Sequence, residues 1–221
     1  MDKIVDYYNQ LAKSYDGNRF ENSYGKFIDH QERSILQQLL TNQKDIVLDM
    51  PCGSGRFMNF AQIGVDASAE MIQVAREKFP DKTYHQASAD HTGLENESID
   101  VVICFHFFMH LNAQRMELVL NECERILNKN GRIIFDIPSA KRRKAFGYKG
   151  NDWHGSFSLS RKEITKMTSR FEIRRSFGIL FIPIHRIPNK LRPLFRYLDH
   201  LLANSFLKPY SSYQIFELVK K

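Results

Sequence analysis

Val47-Leu48-Asp49-Met50-Pro51-Cys52-Gly53-Ser54-Gly55-Arg56-Phe57, followed closely by Gly64-Val65-Asp66-Ala67-Ser68, is the stretch that decides the fold. An apolar strand runs into an acid and a glycine turn, and a second short strand ends in another acid. Gly53 and Gly55 lack a Cβ, which permits positive φ and close approach of a ligand to the backbone. Ligands of open α/β sheets bind beyond the carboxyl ends of the strands. An acid at the end of the second strand is placed there to accept both hydroxyls of a ribose. The two segments together predict a pocket for a nucleoside-bearing cofactor.

On either side, helix and strand patterns alternate. The first forty residues keep a helical beat through Ile28, Ser34-Ile35-Leu36 and Leu39-Leu40. Arg56 to Ala61 leaves room for only a turn or two of helix. Ser68 is a plausible N-cap for a helix over 69–79, with Pro80 just past its end. Thr83 to Gln86 and Ile99 to Phe105 read as strands. Ala113 to Leu127 carries Met116, Val119, Leu120, Cys123 and Leu127 on one helical face. Asn130-Gly131 then turns into a strand over 132–137, stopped by Pro138. Such alternation implies a mostly parallel sheet covered on both faces. Further on, a helix is expected to start near Ser160. Two later strand patterns, 171–182 and 212–219, flank a helix over 187–202 with Ile187, Leu191, Leu194, Phe195, Leu198, Leu201 and Leu202 on one face. Late strands joined through an insertion suggest an antiparallel edge.

The chain has 221 residues and 43% hydrophobic content, enough for one sizeable core. Its three cysteines, Cys52, Cys104 and Cys123, show no CxxC spacing, which fits a reduced, cytoplasmic protein. The start, Met1-Asp2-Lys3-Ile4-Val5-Asp6, is too polar for a signal peptide. No apolar run approaches the roughly 20 residues needed to span a bilayer. The net charge of +7 is uneven: residues 139–210 hold sixteen Lys or Arg against four acids, and the remainder is net −5. That split points the later third toward something anionic, or toward a solvated basic surface.

Spacing separates the cofactor classes that share this geometry. A dinucleotide fingerprint wants a third glycine three residues after the second, and an acid about 20 residues on. Met58 stands at the glycine position, and Asp66 follows Gly55 by eleven residues. Asp49 also puts a negative charge where a pyrophosphate would approach, which suits an ammonium or sulfonium instead.

With these residues the chain resembles the class I S-adenosylmethionine-dependent methyltransferases, in their small-molecule branch, over about residues 7–139. The resemblance implies a Rossmann-like, mostly parallel seven-stranded sheet with an antiparallel edge strand, helices on both faces and an N-terminal helical lid. It implies S-adenosylmethionine as cofactor. The Asp-x-x-Cys-Gly-x-Gly turn of Asp49, Cys52, Gly53 and Gly55 would hold its methionine part. Asp66 and Ala67 would lie at the ribose, Met71 and Ala89 at the adenine, Asp90 at the adenine amino group, and Phe105, ending the fourth strand, against the cofactor. Tyr15 matches an aromatic of the lid. Pro51 departs from the family by replacing its usual first glycine, which removes one backbone N–H.

A hydroxyl acceptor needs help losing its proton. His106 and His110 follow the fourth strand, and His154 lies in Asp152-Trp153-His154-Gly155; these are the candidate catalytic residues, each with a plain scaffold role as the alternative. In resembling enzymes an Asn/Asp-Pro-Pro-aromatic tetrapeptide after the fourth strand marks methylation of exocyclic amines on bases or glutamine; it is missing here, which argues against that chemistry. No metal-ligand spacing stands out, so no metal is expected. The expected function is methyl transfer, chiefly to oxygen on a small metabolite, glycan or lipid-linked intermediate. RNA methylation and a non-catalytic cofactor-binding partner are the alternatives. Lys141-Arg142-Arg143-Lys144 (141–144) and the helix over 187–202, with Lys190, Arg192 and Arg196 off its apolar face, have three readings: an insertion helix packed on the core with its charges solvated, contact with an anionic membrane or lipid-linked acceptor, and contact with nucleic acid. Residues 1–221 are read as one domain, with a lid (1–42), a cofactor-binding core (43–139) and substrate-side insertions with the antiparallel edge (140–221). The oligomeric state is left open.

Overall fold

The computed structural model describes residues 2–148 and 156–221. Three helices come first: α1 (Asp2–Leu11), α2 (Tyr15–Phe20) and α3 (Ser23–Leu39). The alternating core follows as β1 (Val47–Asp49), β2 (Ile63–Asp66), α4 (Ala69–Lys78), β3 (Thr83–Gln86), β4 (Ile99–Cys104), α5 (Ala113–Ile126) and β5 (Leu127–Pro138). The chain ends with α6 (Ala140–Ala145), α7 (Arg161–Met167), β6 (Phe171–Ile179), α8 (Arg192–Ala203) and β7 (Tyr213–Lys220).

The strands form one seven-stranded sheet in the order β3-β2-β1-β4-β5-β7-β6. β3 through β5 pair in parallel, while β7 runs antiparallel to both β5 and β6, giving the antiparallel pairing expected at that edge. Side chains alternate across the sheet. Leu48, Val102, Ile133 and Phe135 pack on one face with α5 and α7; Val47, Val101, Ile103 and Ile134 pack on the other with α3. Both faces are therefore covered.

Local chemistry sets the boundaries. The Ser68 hydroxyl accepts from the Met71 N–H and caps α4, and Asn112 does the same for Arg115 at the start of α5. Ser160 and Glu163 form a reciprocal capping box at α7.

Three expectations change. Arg56 to Ala61 is a run of turns with no helix, because Phe57, Met58 and Ala61 are drawn into the core and the link is too short to leave it. β5 begins at Leu127 and not at Arg132. Leu127 pairs with Ile99 and Arg132 with Val101, so the intervening residues, Asn130 at φ 64° among them, bulge out of the ladder. Finally, α8 starts at Arg192, after a single 3₁₀ turn over Asn189–Leu191, with Pro193 in its first turn.

Candidate active site

β1, β2 and β4 end on one cavity of about 300 Å³. Gly53, Asp66, Met71, Ala89 and Phe105 line it from the core, and Tyr8 covers it from α1. The glycine turn is closed onto β2 by the Cys52 N–H donating to the Val65 carbonyl at 2.9 Å. Gly53 has φ 51° and meets nothing where a Cβ would project. Gly55, at φ 84°, would put a Cβ 3.0 Å from the Ala75 Cβ, so α4 can approach the turn only over a glycine. Asp66 binds the turn to the start of α4: Oδ2 accepts from the Gly53 N–H and Oδ1 from the Ser68 N–H, each at 2.8 Å. Burial raises its carboxyl, opposed by the N–H groups of Ser68, Gly53 and Ala67. Each oxygen keeps acceptor capacity for a diol.

Asp49 lies just behind the turn. It is 2% exposed, and its carboxylate has no hydrogen-bond partner among the described residues. Burial pushes it up to about 8, against the pull of Arg56. Buried polar groups are nearly always satisfied, so an orphan acid at the end of β1, behind the turn whose Gly53 lines the cavity, suits a cationic ligand group that favours its ionised form. The methionine ammonium of S-adenosylmethionine meets that requirement, and the cavity floor of Met71 and Ala89 suits its adenine.

The N-terminal helices are fastened over this cavity. Ser68 Oγ donates to Asn9 Oδ1 and Ser54 Oγ to Asp16 Oδ1, both at 2.6 Å, and Lys78 pairs with Asp16. Tyr15 lines the cavity from α2.

A second cavity of about 570 Å³ adjoins the first, and Tyr8, Tyr15, His106 and His110 line both. The Tyr8 hydroxyl lies 3.3 Å from His110 Nε2, and burial pushes that phenol well above its ordinary value. His106 is held in the left-handed region at φ 55° by its N–H donating to Asp136 Oδ1 at 2.5 Å. Its Nε2 faces Glu32 Oε1 at 2.8 Å and its Nδ1 faces Asp136 Oδ2 at 3.5 Å. Arg56 Nη2 meets the other Glu32 oxygen at 2.7 Å. These are ion-pair distances without hydrogen-bond alignment, since the same atoms make no well-angled bond. Burial raises Glu32, yet Arg56 and His106 outweigh it and hold the carboxyl at about 2. Glu32, His106 and Asp136 are close enough to suggest a metal site. The two carboxylates, however, face opposite nitrogens of one ring, and Arg56 already occupies Glu32. The cluster is a charge-paired clamp on the loop after β4.

The sequence-predicted residues thus separate into layers. Tyr15, Gly53, Asp66, Ala67, Met71, Ala89 and Phe105 line the cofactor cavity, as do His106 and His110. Asp49, Cys52 and Gly55 lie outside that lining. Asp90 is also outside it, accepting from Ser88 and from Arg115 at 2.9 Å. Arg115 itself lines the cavity. Trp153 and His154 lie outside the described residues. Tyr8, Arg19, Glu32 and Asp136 were not singled out from sequence. Glu32 had a readable signal, because it falls on the buried stripe of α3 between Ile28 and Ile35.

Residues 48–135 match the methyltransferase domain family. The chain is 36% identical over 137 residues to an uncharacterized protein of Methanocaldococcus jannaschii, covering 61% of this chain and 51% of that one. It is 28% identical over 158 residues to the ubiquinone/menaquinone biosynthesis C-methyltransferase UbiE of Campylobacter jejuni, covering 65% and 66%. The chain thus spans between about half and two thirds of the length of these relatives. Among solved structures, magnesium protoporphyrin IX methyltransferase of Synechocystis with bound S-adenosylhomocysteine superposes with a TM-score of 0.66 at 18% identity, covering 100% of this chain and 99% of that one. The strand order, the acid-and-glycine turn and the matched domain agree. The chain carries a methyltransferase domain of the class I, S-adenosylmethionine-dependent kind.

Proposed function

We propose that the protein transfers a methyl group from S-adenosylmethionine to an oxygen of a small metabolite, glycan or lipid-linked intermediate, working against an anionic membrane surface. The observation that carries this reading is the pair of adjoining cavities, with the Tyr8–His110 contact lining both. Bound in the smaller cavity, the cofactor would supply an electrophilic methyl group on a sulfonium. Asp66 would hold the ribose hydroxyls, Asp49 the ammonium, and Gly53 would let the backbone approach closely. α1 and α2 exclude water from above. Aligned holding is the main service such a site renders. His110, with Tyr8 at its Nε2, is the group best disposed to take a proton from an acceptor in the larger cavity, while both ring nitrogens of His106 are turned to carboxylates.

Carbon is the second reading for the acceptor atom, favoured by the similarity to a C-methyltransferase. Product analysis separates the two, because an O-methyl ether or ester differs from a C-methyl group in its proton spectrum. The cofactor assignment is checked by calorimetry with S-adenosylhomocysteine. Asp66→Ala removes two charge-assisted contacts and should weaken binding by roughly 30-fold or more; unchanged affinity would refute the assignment.

A further inference from the structure

We infer that the larger cavity is the acceptor site and that Arg19 is its anchor for a carboxylate, so that the acceptor is a flat or aromatic-bodied molecule bearing a single acid group. The inference rests on the methyltransferase reading above. The cavity lies between α1, α2, α3 and β7, walled by Tyr7, Tyr8, Tyr15, Tyr24 and Tyr213, with Phe20 beside them. Edge-to-face contacts fix part of the wall, with ring centroids 5.8 Å apart for Tyr8 and Tyr15 and 6.1 Å for Tyr15 and Phe20. Such walls favour a planar apolar body.

The charge in this cavity is unbalanced. Arg19 is half-buried in the lining, and no carboxylate among the described residues lies within ion-pair distance of its guanidinium. Among the described residues, the lining contains no Asp, Glu or Lys. Glu32 is committed to Arg56 and His106, and Asp136 to His106. A shielded cation without a partner is costly, and one carboxylate would satisfy it through two parallel N–H···O bonds. A single guanidinium matches one negative charge. A phosphate dianion would bring a second charge toward Glu32 and Asp136 with nothing to balance it. An acid group at Arg19 leaves the rest of the molecule to extend along the tyrosines toward the Tyr8–His110 contact and the cofactor side.

The test uses the full chain loaded with S-adenosylhomocysteine, probed by ligand-observed NMR with 2-naphthoate and its uncharged isostere 2-naphthamide. The acid should bind at least about tenfold more tightly than the amide. That preference should vanish in Arg19→Gln and be kept in part by Arg19→Lys. Equal binding of acid and amide by the wild type, no binding of the acid, or a preference retained in Arg19→Gln would each overturn the inference. The wild-type comparison needs no variant to fold. Failure of S-adenosylhomocysteine to bind would instead sink the methyltransferase reading, so the two failures are told apart.

Discussion

At Asp49 the free protein holds a buried carboxyl whose proton is poised to leave when a cation arrives. Burial sets it at about 8, Arg56 pulls it down, and no neighbouring donor satisfies it. Near neutral pH the acid is therefore mostly protonated in the free protein, and seating an ammonium beside it favours the ionised form. Binding should release a proton. The affinity for S-adenosylhomocysteine should rise by roughly tenfold between pH 6.5 and 8, because the ionised fraction rises with pH over that window. Calorimetry in phosphate and in Tris, buffers with different ionisation enthalpies, reads the proton count directly. Asp49→Asn should abolish both the proton release and the pH slope. Identical binding enthalpies in the two buffers would mean that Asp49 does not meet the ligand cation.

Between elements, the Glu32 clamp joins α3, the glycine turn and the loop after β4. Glu32 from α3 is fully buried and reaches Arg56 beyond the turn and His106 beyond β4. Removing one partner of a buried pair leaves the other charge uncompensated, so Glu32→Gln should cost about 3 kcal/mol in urea unfolding at neutral pH. The folded carboxyl sits at about 2, below its ordinary 4.5, so its contribution is present above 4.5 and is lost as pH falls toward 2. The gap between wild type and variant should therefore narrow over that acid window; a gap that stays constant would show that the effect is packing and not charge. This clamp marks where sequence reasoning stops. Caps, short buried strands and the acid-and-glycine turn are local patterns, and Ser68, Thr83–Gln86 and Asp66 could be read from their neighbours alone. Glu32, His106 and Asp136 meet only once α3 lies across the sheet, and nothing within a few residues of any one of them specifies the others. The start of β5 was illegible for a related reason. Asn130-Gly131 carries turn chemistry, yet Leu127 already pairs with Ile99, so the strand starts before the turn and 128–131 become a bulge inside it.

Across the whole molecule, the excess of positive charge and the uncovered apolar surface fall on the same late segments. α8 is tied down by Asp199, which accepts from the Ile182 N–H at 2.6 Å and from Gln31 at 2.8 Å, and by buried Ala203. That anchoring leaves Leu191, Leu194, Leu198 and Leu201 exposed, at 51%, 60%, 37% and 49%, and Phe206 at 88%. The helix packs on the core through Phe195, Asp199 and Ala203 and turns those leucines outward. Arg192 and Arg196 were expected off the apolar face; they reach Ser23 on α3, and Arg196 lies over Phe27. They secure the helix, so reversing their charge would unseat α8 and test nothing about a membrane. Arg186 and Lys190 just before the helix, and Lys141 and Lys144 on α6, are among the exposed cations of the described residues. No helix among the described residues is long and apolar enough to cross a bilayer. An amphipathic helix with leucines outward and lysines nearby is suited to lie in the plane of an anionic interface, each cation there adding about 1 kcal/mol. Co-sedimentation with vesicles of phosphatidylglycerol and phosphatidylcholine should therefore capture the protein, and pure phosphatidylcholine should not. Leu194→Asp with Leu198→Asp, both on the exposed side, should cut partitioning by at least about tenfold while leaving the melting temperature unchanged. Equal capture of the double variant would reject the membrane contact. Loss instead of concentration-dependent self-association in sedimentation velocity would assign the same leucines to a second copy of the chain.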